Sequence, residues 1–289
     1  MLETSKNCIT QSVLIKLDKN ILDQLDLGTI QLPLALHLMM LQTHAYVIGD
    51  ATFRTSPETI YDYITHGAKP TLNQYTRNKV LDAIGDLIDL GLIEANKQNF
   101  LWNTKIEINA SNLLHENHAP YVSIQSSDLC LIMRRYGLKA SKPIIAYFNI
   151  TSYFDWRDVT YYLQEYADTD RSLLQDIRCN PELGQDWHIS CYASLKTLAS
   201  KRYYGAQLEN WVTEKTLSNY IQTLSEIGLI GIVITSKESN GGQSHTMRHY
   251  CLPNCERGVR VLANRKLDQM IYAINNNIYI TEEEIYNEI

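Results

Sequence analysis

Two stretches of this chain carry one pattern. Thr76 to Ile93 and Thr213 to Ile230 both read T-x-x-x-[VL]-x-x-x-I-x-x-L-x-x-[LI]-G-L-I, with every matched pair 137 positions apart. In the first copy Val80, Ile84, Leu87 and Leu90 recur at steps of four and three, which places them on one stripe of a helix; Leu217, Ile221, Leu224 and Ile227 do the same in the second. Gly91 and Gly228 follow the last periodic residue, where a left-handed backbone costs least without a Cβ. Leu92-Ile93 and Leu229-Ile230 then start a strand. A chain that does this twice is constrained to two helix-into-strand units.

Opposite the apolar stripe the first copy carries Asn73, Gln74, Arg77, Asn78 and Lys79. The second carries Lys215, Thr216, Ser218, Asn219 and Gln222. Such forked or long polar side chains reach base edges and phosphates in a major groove. One such face alone equally describes the solvated side of any amphipathic helix. Its repetition in similar surroundings favours a pair of DNA-facing helices.

Walking outward from the pattern recovers more of a repeated unit. Ser12 to Leu17 reads as a strand before a short apolar helix, Ile21 to Leu27, as Tyr121 to Gln125 does before Leu129 to Tyr136. Apolar helices with an early proline follow, Pro33 to Leu41 and Pro143 to Ile150, and proline in a first turn has no hydrogen bond to lose. Thr55-Ser56-Pro57-Glu58 starts a second helix that ends at Gly67, and Ser194 to Tyr203 is its counterpart. After each third helix a hairpin is predicted. In the first copy Leu92–Glu94 and Phe100–Ile108 flank Lys97 to Asn99. In the second, Ile230–Ser236 and Thr246–Leu252 flank a longer loop in which Asn240-Gly241 is a strong turn signal.

The predicted organisation is therefore a first domain over 1–108, a linker over 109–120 and a second domain over 121–254 with an acidic insertion at 155–189. A C-terminal helix, Val259 to Asn275, and an acidic tail complete 255–289. Val261, Leu262, Leu267 and Ile271 suit packing or a homodimer seam.

The net charge of −6 looks unfavourable for nucleic acid until it is divided. Residues 155–186 carry −5 and the tail from Thr281 a further −4, which leaves the remainder at +3. Local basic stretches such as Lys69 to Lys79 and Lys196-Lys201-Arg202 then matter more than the sum. No run of apolar residues is long enough for a membrane span, and Met1 to Lys6 lacks a signal-peptide layout. The six cysteines have no framework spacing and read as reduced thiols, which points to the cytoplasm.

The stretch from Leu195 through Thr213 to Ile230 resembles the winged helix-turn-helix superfamily, here in tandem, and is similar to two-unit replication initiators and regulators of bacterial plasmids and phages. With the first unit included, the resemblance covers about two-thirds of the chain. It departs at Tyr203 to Trp211, where nine residues replace the usual tight turn between helices two and three. The resemblance implies a mainly α fold with small β wings (α+β), two winged helix-turn-helix domains and a double-stranded DNA partner. It implies that helix three enters a major groove while the wing touches backbone. Arg77 is then the base reader, since its fork suits guanine O6 and N7. Lys79, Lys196, Lys215 and Arg248 become phosphate contacts, and Lys97, Lys201, Arg202 and Lys237 join the expected DNA-binding residues.

Other chemistry is less well supported. Cys251 and Cys255 with His245 and His249 lack the second knuckle of a zinc site, so no metal or other cofactor is expected. No phosphate-cradling loop or nucleophile elbow occurs, and an enzyme is not expected. Asp155/Asp158 and Asp168/Asp170 read as a solvated face. The predicted role is transcriptional regulation. The alternatives are an initiator binding origin repeats, or a protein-interaction module using its winged-helix surfaces; a protein or peptide partner at the acidic insertion is a separate expectation.

Overall fold

The computed structural model describes residues 12–65, 73–96, 100–114, 120–154, 189–200 and 211–278. Lys97, Lys201, Arg202, the acidic insertion up to residue 188 and the acidic tail from 279 lie outside them. The fold is mixed α+β with small antiparallel sheets, and it divides into two compact units, Met1–Phe148 and Asn149–Ile289. Among the described residues no helix is long and apolar enough to cross a membrane.

In the first unit β1 (Leu14–Asp18) leads into α1 (Lys19–Gln24), whose N-cap Asp18 accepts a hydrogen bond from the Asn20 N–H at 2.7 Å. Next comes α2 (Gln31–Val47), longer than its predicted apolar core and buried on every side over its first ten residues. A helix hydrophobic all round has to sit inside a core. Gln42 is the polar exception. It is fully buried, yet its amide donates to the Ala51 carbonyl at 2.9 Å and accepts from the Ala110 N–H at 2.7 Å.

Around α2 pack α3 (Pro57–Thr65) and α4 (Gln74–Asp89). Ser56 starts α3, its hydroxyl accepting from the Thr59 N–H. A three-stranded sheet follows in the order β2 (Phe53–Thr55), β4 (Ile106–Asn109), β3 (Glu94–Ala95). Phe53 pairs with Ile108 and Glu94 with Asn109, so the predicted hairpin exists but is short. Phe100 to Lys105 is not strand, because residues 101–104 turn, with the Thr104 N–H donating to the Leu101 carbonyl at 3.0 Å. The Trp102 carbonyl accepts from the Glu58 N–H, which fixes that turn against the start of α3.

Two expectations about the boundary change. The described part of the predicted 109–120 linker, residues 109–114, is packed structure: Ala110 and Leu113 are fully buried, and the Asn112 amide donates to the Gly91 carbonyl. Moreover β5 (Tyr121–Gln125) pairs antiparallel with β1, from Leu14 opposite Gln125 to Asp18 opposite Tyr121. The leading strands of both repeats, and α5 (Ser126–Tyr136) after the second, therefore belong to the first unit. Residues 121–148 were predicted for the second domain; a two-residue turn signal cannot reveal that a strand's partner lies 107 residues upstream.

Helix α6 (Ser141–Ser152) runs through the division between units. The second unit then has β6 (Ser190–Tyr192), α7 (Leu195–Ser200), α8 (Glu214–Glu226), β7 (Gly231–Glu238) and β8 (Ser244–Cys251). Its sheet has the order β6-β8-β7, matching β2-β4-β3 of the first unit. The hairpin strands run two residues further at the tip than predicted, reaching Glu238 and Ser244. Gly242 (φ 72°) holds the left-handed position at the tip, and Asn240-Gly241 do not, since the Gly242 N–H returns to the Ser239 carbonyl. This is a turn closed by a left-handed glycine rather than a two-residue hairpin loop. Helix α9 (Glu256–Asn275) packs against β7 and β8, burying Val259, Ala263 and Leu267. Of the predicted seam, Leu267 is buried, Leu262 and Ile271 are half-buried and Val261 is exposed.

Candidate nucleic-acid interface

Helices α4 and α8 leave their units in the same way. Each C-cap, Leu90 or Ile227, precedes a left-handed glycine, Gly91 (φ 68°) or Gly228 (φ 76°). The Leu92 N–H then reaches back to the Leu87 carbonyl at 3.0 Å, and the Leu229 N–H to Leu224 at 2.9 Å. This satisfies carbonyls that a helix end leaves open. Three residues of each apolar stripe are buried, Val80, Ile84 and Leu87 in one core and Leu217, Ile221 and Leu224 in the other, while the fourth, at the C-cap, is exposed in Leu90 and half-buried in Ile227.

Their N-termini differ. In α8, Thr213 is the cap and accepts from the Thr216 N–H at 3.2 Å. Its match in the repeat, Thr76, lies inside α4, which is capped three residues earlier by Asn73. The Asn73 Oδ1 accepts from both the Thr76 N–H (2.8 Å) and its hydroxyl (3.0 Å). Asn73 therefore serves the helix terminus, and that carbonyl oxygen is occupied.

On the first polar face Asn73, Gln74, Asn78 and Lys79 are all exposed. The Gln74 amide donates to Asn78 Oδ1 at 2.8 Å, and the Lys79 ammonium lies 4.6 Å from the centre of the Tyr75 ring. Tyr75 itself is 67% exposed. Further along, Asp82, Asp86 and Asp89 are all exposed, so the C-terminal half of α4 presents acid.

Arg77 is where the structure departs most from the sequence reading. It is half-buried, with its guanidinium 5.6 Å from the centre of the Trp102 ring. Its Nε is buried without a hydrogen-bond partner, and so is the Trp102 Nε1. Both side chains line a groove of about 490 Å³ between α4 and the 100–103 turn. The fork thus lies against its own wing segment rather than standing out from the helix as a base reader. The aromatic partner is what sequence reasoning missed: a tryptophan 25 residues downstream gives no periodic signal.

In the second unit, Lys215, Asn219 and Gln222 are exposed at steps of four and three, forming one ridge along α8. Thr216 and Ser218 are half-buried beside it, and the Thr216 hydroxyl sits 2.9 Å from that of Thr213 at the cap. Gln222 reaches Glu226 at 3.5 Å. Lys196 is exposed on α7, whose hydroxyl cap is Ser194. Trp211, just before α8, donates from its indole N–H to the Leu198 carbonyl at 3.3 Å, which anchors α8 to α7 across the long connection.

The two cations of the second hairpin differ in their surroundings. The Lys237 ammonium pairs with Asp268 of α9, and the Asn240 N–H donates to Asn275 Oδ1 at 3.2 Å, so α9 braces the hairpin along its length. Arg248 is half-buried and lies beside the Tyr250 hydroxyl, where its charge works against the rise that burial imposes on the phenol. Lys237 is thus held by an acid, whereas Arg248 has the phenol beside it.

Among the described residues no group of three or more histidine, cysteine or acidic side chains is placed to hold a metal ion. Cys191, Cys251 and Cys255 are buried free thiols. Burial pushes Cys191 up to about 12 and Cys255 up to about 11, and raises Cys251 as well, so all three stay protonated. His249 is buried against Tyr192, at 5.5 Å between ring centres, and burial with the Lys266 charge lowers it to about 4. The tyrosine pairs Tyr161-Tyr162 and Tyr203-Tyr204 and the acidic pairs of the insertion lie outside the described residues.

Comparison with protein-family models, with curated proteins and with solved structures finds no match to this chain.

Proposed function

We propose that the chain is a sequence-specific double-stranded DNA-binding protein, built on two winged helix-turn-helix units and acting as a transcriptional regulator. The observation that carries the reading is the Lys215–Asn219–Gln222 ridge, exposed on a capped helix beside a hairpin that α9 braces. Asn and Gln suit adenine edges and Lys suits guanine or phosphate. Rigid presentation lowers the ordering cost of such contacts. The sheet order shared by the two units and the glycine exit of both helices support the same architecture.

This moves the weight from the first helix to the second. α4 has lost Asn73 to its cap and Arg77 to Trp102, and its outer half is acidic, which repels phosphate. Gln74, Asn78 and Lys79 remain for added contacts, and Thr216 and Ser218 for the flank of the α8 ridge.

Selection of bound fragments from random and from host duplex DNA tests the reading. A recurrent motif at single promoter-proximal sites is the expected outcome. Iterated motifs would assign the chain to origin binding instead. No enrichment at all would overturn DNA recognition and leave a protein-binding role for these faces.

A further inference from the structure

The groove between α4 and the 100–103 turn holds more hydrogen-bonding capacity than the fold uses. The Arg77 Nε–H and the Trp102 Nε1–H are buried on it with no acceptor. Among the described residues no hydrogen bond or ion pair engages the rest of the Arg77 fork, so its Nη hydrogens stand as available donors. A buried donor left unmade costs stability. Both side chains line the groove, so whatever binds there meets a guanidinium and an indole together.

The remaining lining decides what fits. Glu58 shares the groove with Arg77, so the two charges offset one another. A phosphate would meet donors and a repelling carboxylate together. A neutral ring bearing acceptors on one edge and donors on another meets both groups favourably. Phe100 and Leu101 supply an apolar wall, Leu101 being 74% exposed, and the Gln74 and Asn103 amides stand at the rim. The volume of about 490 Å³ lies within the usual span for small-ligand sites. Among the bases, guanine combines adjacent acceptors, O6 and N7, with an amino donor.

We propose that this groove binds an unpaired guanine base, with Arg77 donating to O6 and N7 and Glu58 accepting from the amino edge. A paired guanine has that edge occupied, so the site is distinct from duplex reading by α8 and does not depend on it. The base can come from a free nucleotide or from a single strand.

The test follows the indole N–H resonance of Trp102 in the full chain, identified among the four tryptophans by its loss in Trp102→Phe. Guanosine monophosphate should shift it saturably, and a thymine oligonucleotide carrying one guanine should do so only if strands are a source. Adenosine and cytidine monophosphates should bind at least about tenfold more weakly, the scale of one bidentate base contact. Glu58→Gln, at an exposed position, and Arg77→Lys should each weaken the guanine nucleotide about tenfold while the melting temperature confirms folding. Three results would overturn the proposal: an equal response to inorganic phosphate, an equal response to all nucleotides, or no response at millimolar guanosine monophosphate. DNA selection on Arg77→Lys reads the duplex function separately, so failure of either is told apart.

Discussion

The guanidinium of Arg77 lies over the indole of Trp102, joining the helix of the first repeat to the turn before its last strand. The contact brings a cation onto an aromatic face and accounts for a side chain that a helical wheel places outward. It lies on the same 101–104 turn that delays the strand predicted from Phe100 until Ile106.

The contact should be measurable as a coupling. In urea titrations, Arg77→Ala and Trp102→Ala should be non-additive by roughly 0.5–1 kcal/mol, the usual worth of a partly exposed cation–aromatic pair. Strict additivity would show that the two side chains merely adjoin.

On α8, the ridge predicts two different phenotypes. Lys215→Ala should weaken binding to all sequences and reduce the salt-dependence slope by about one. Asn219→Ala should relax base preference at one position by roughly 1–3 kcal/mol. Fluorescence anisotropy across a salt series on the selected duplex and its single-base variants separates them. Identical behaviour of the two variants would refute the division of labour.

The glycines divide into two kinds. A Cβ at Gly91 or Gly228 meets nothing within 4 Å, so alanine there should cost only the left-handed backbone, about 1–2 kcal/mol. At Gly231 a Cβ would sit 2.8 Å from the Cys251 sulfur and 2.9 Å from the Glu256 side chain. Alanine there must displace the Cys251 and Glu256 side chains from between β7 and α9. Chemical denaturation should show a larger loss for Gly231→Ala, accompanied by faster reaction of Cys251 with a thiol reagent.

Acid should act through His249. Its imidazole is held near 4 against an ordinary 6.5, so the folded chain binds fewer protons than the unfolded one between those values. The stability it contributes is complete above pH 6.5 and is lost as pH falls toward 4, by about 3 kcal/mol at most. His249→Gln should flatten this part of the stability profile. An unchanged slope between those pH values would place the proton uptake elsewhere.

Buried neutral thiols are poor nucleophiles. Cys191, Cys251 and Cys255 should react with a thiol reagent only after unfolding, at rates that follow denaturant. Prompt labelling of any of the three in the native chain would contradict the packing under α9.

Much of the candidate site was written in local spacing. Helices α4 and α8, most of their buried stripes and the glycine exits all depend on contacts within about four residues, which a sequence displays directly. What sequence could not show were groups whose partners lie far along the chain. Lys237 looks like a free cation until Asp268 is placed beside it. The three-residue strands β2 and β6 escaped notice because so short a segment has no alternation to read, and each becomes a strand only by completing the hydrogen bonds of β4 or β8.

The repeated motif and its charge pattern thus determined, by themselves, that there are two similar helix-to-strand elements with polar outer faces. Tertiary structure decided which of those faces stays available. It turned Arg77 inward onto Trp102, assigned β5 to the partner strand β1, and left Lys215, Asn219 and Gln222 in the open. The physical reason is that helical periodicity is a local property, whereas the fate of an exposed charge depends on what a distant segment brings to it.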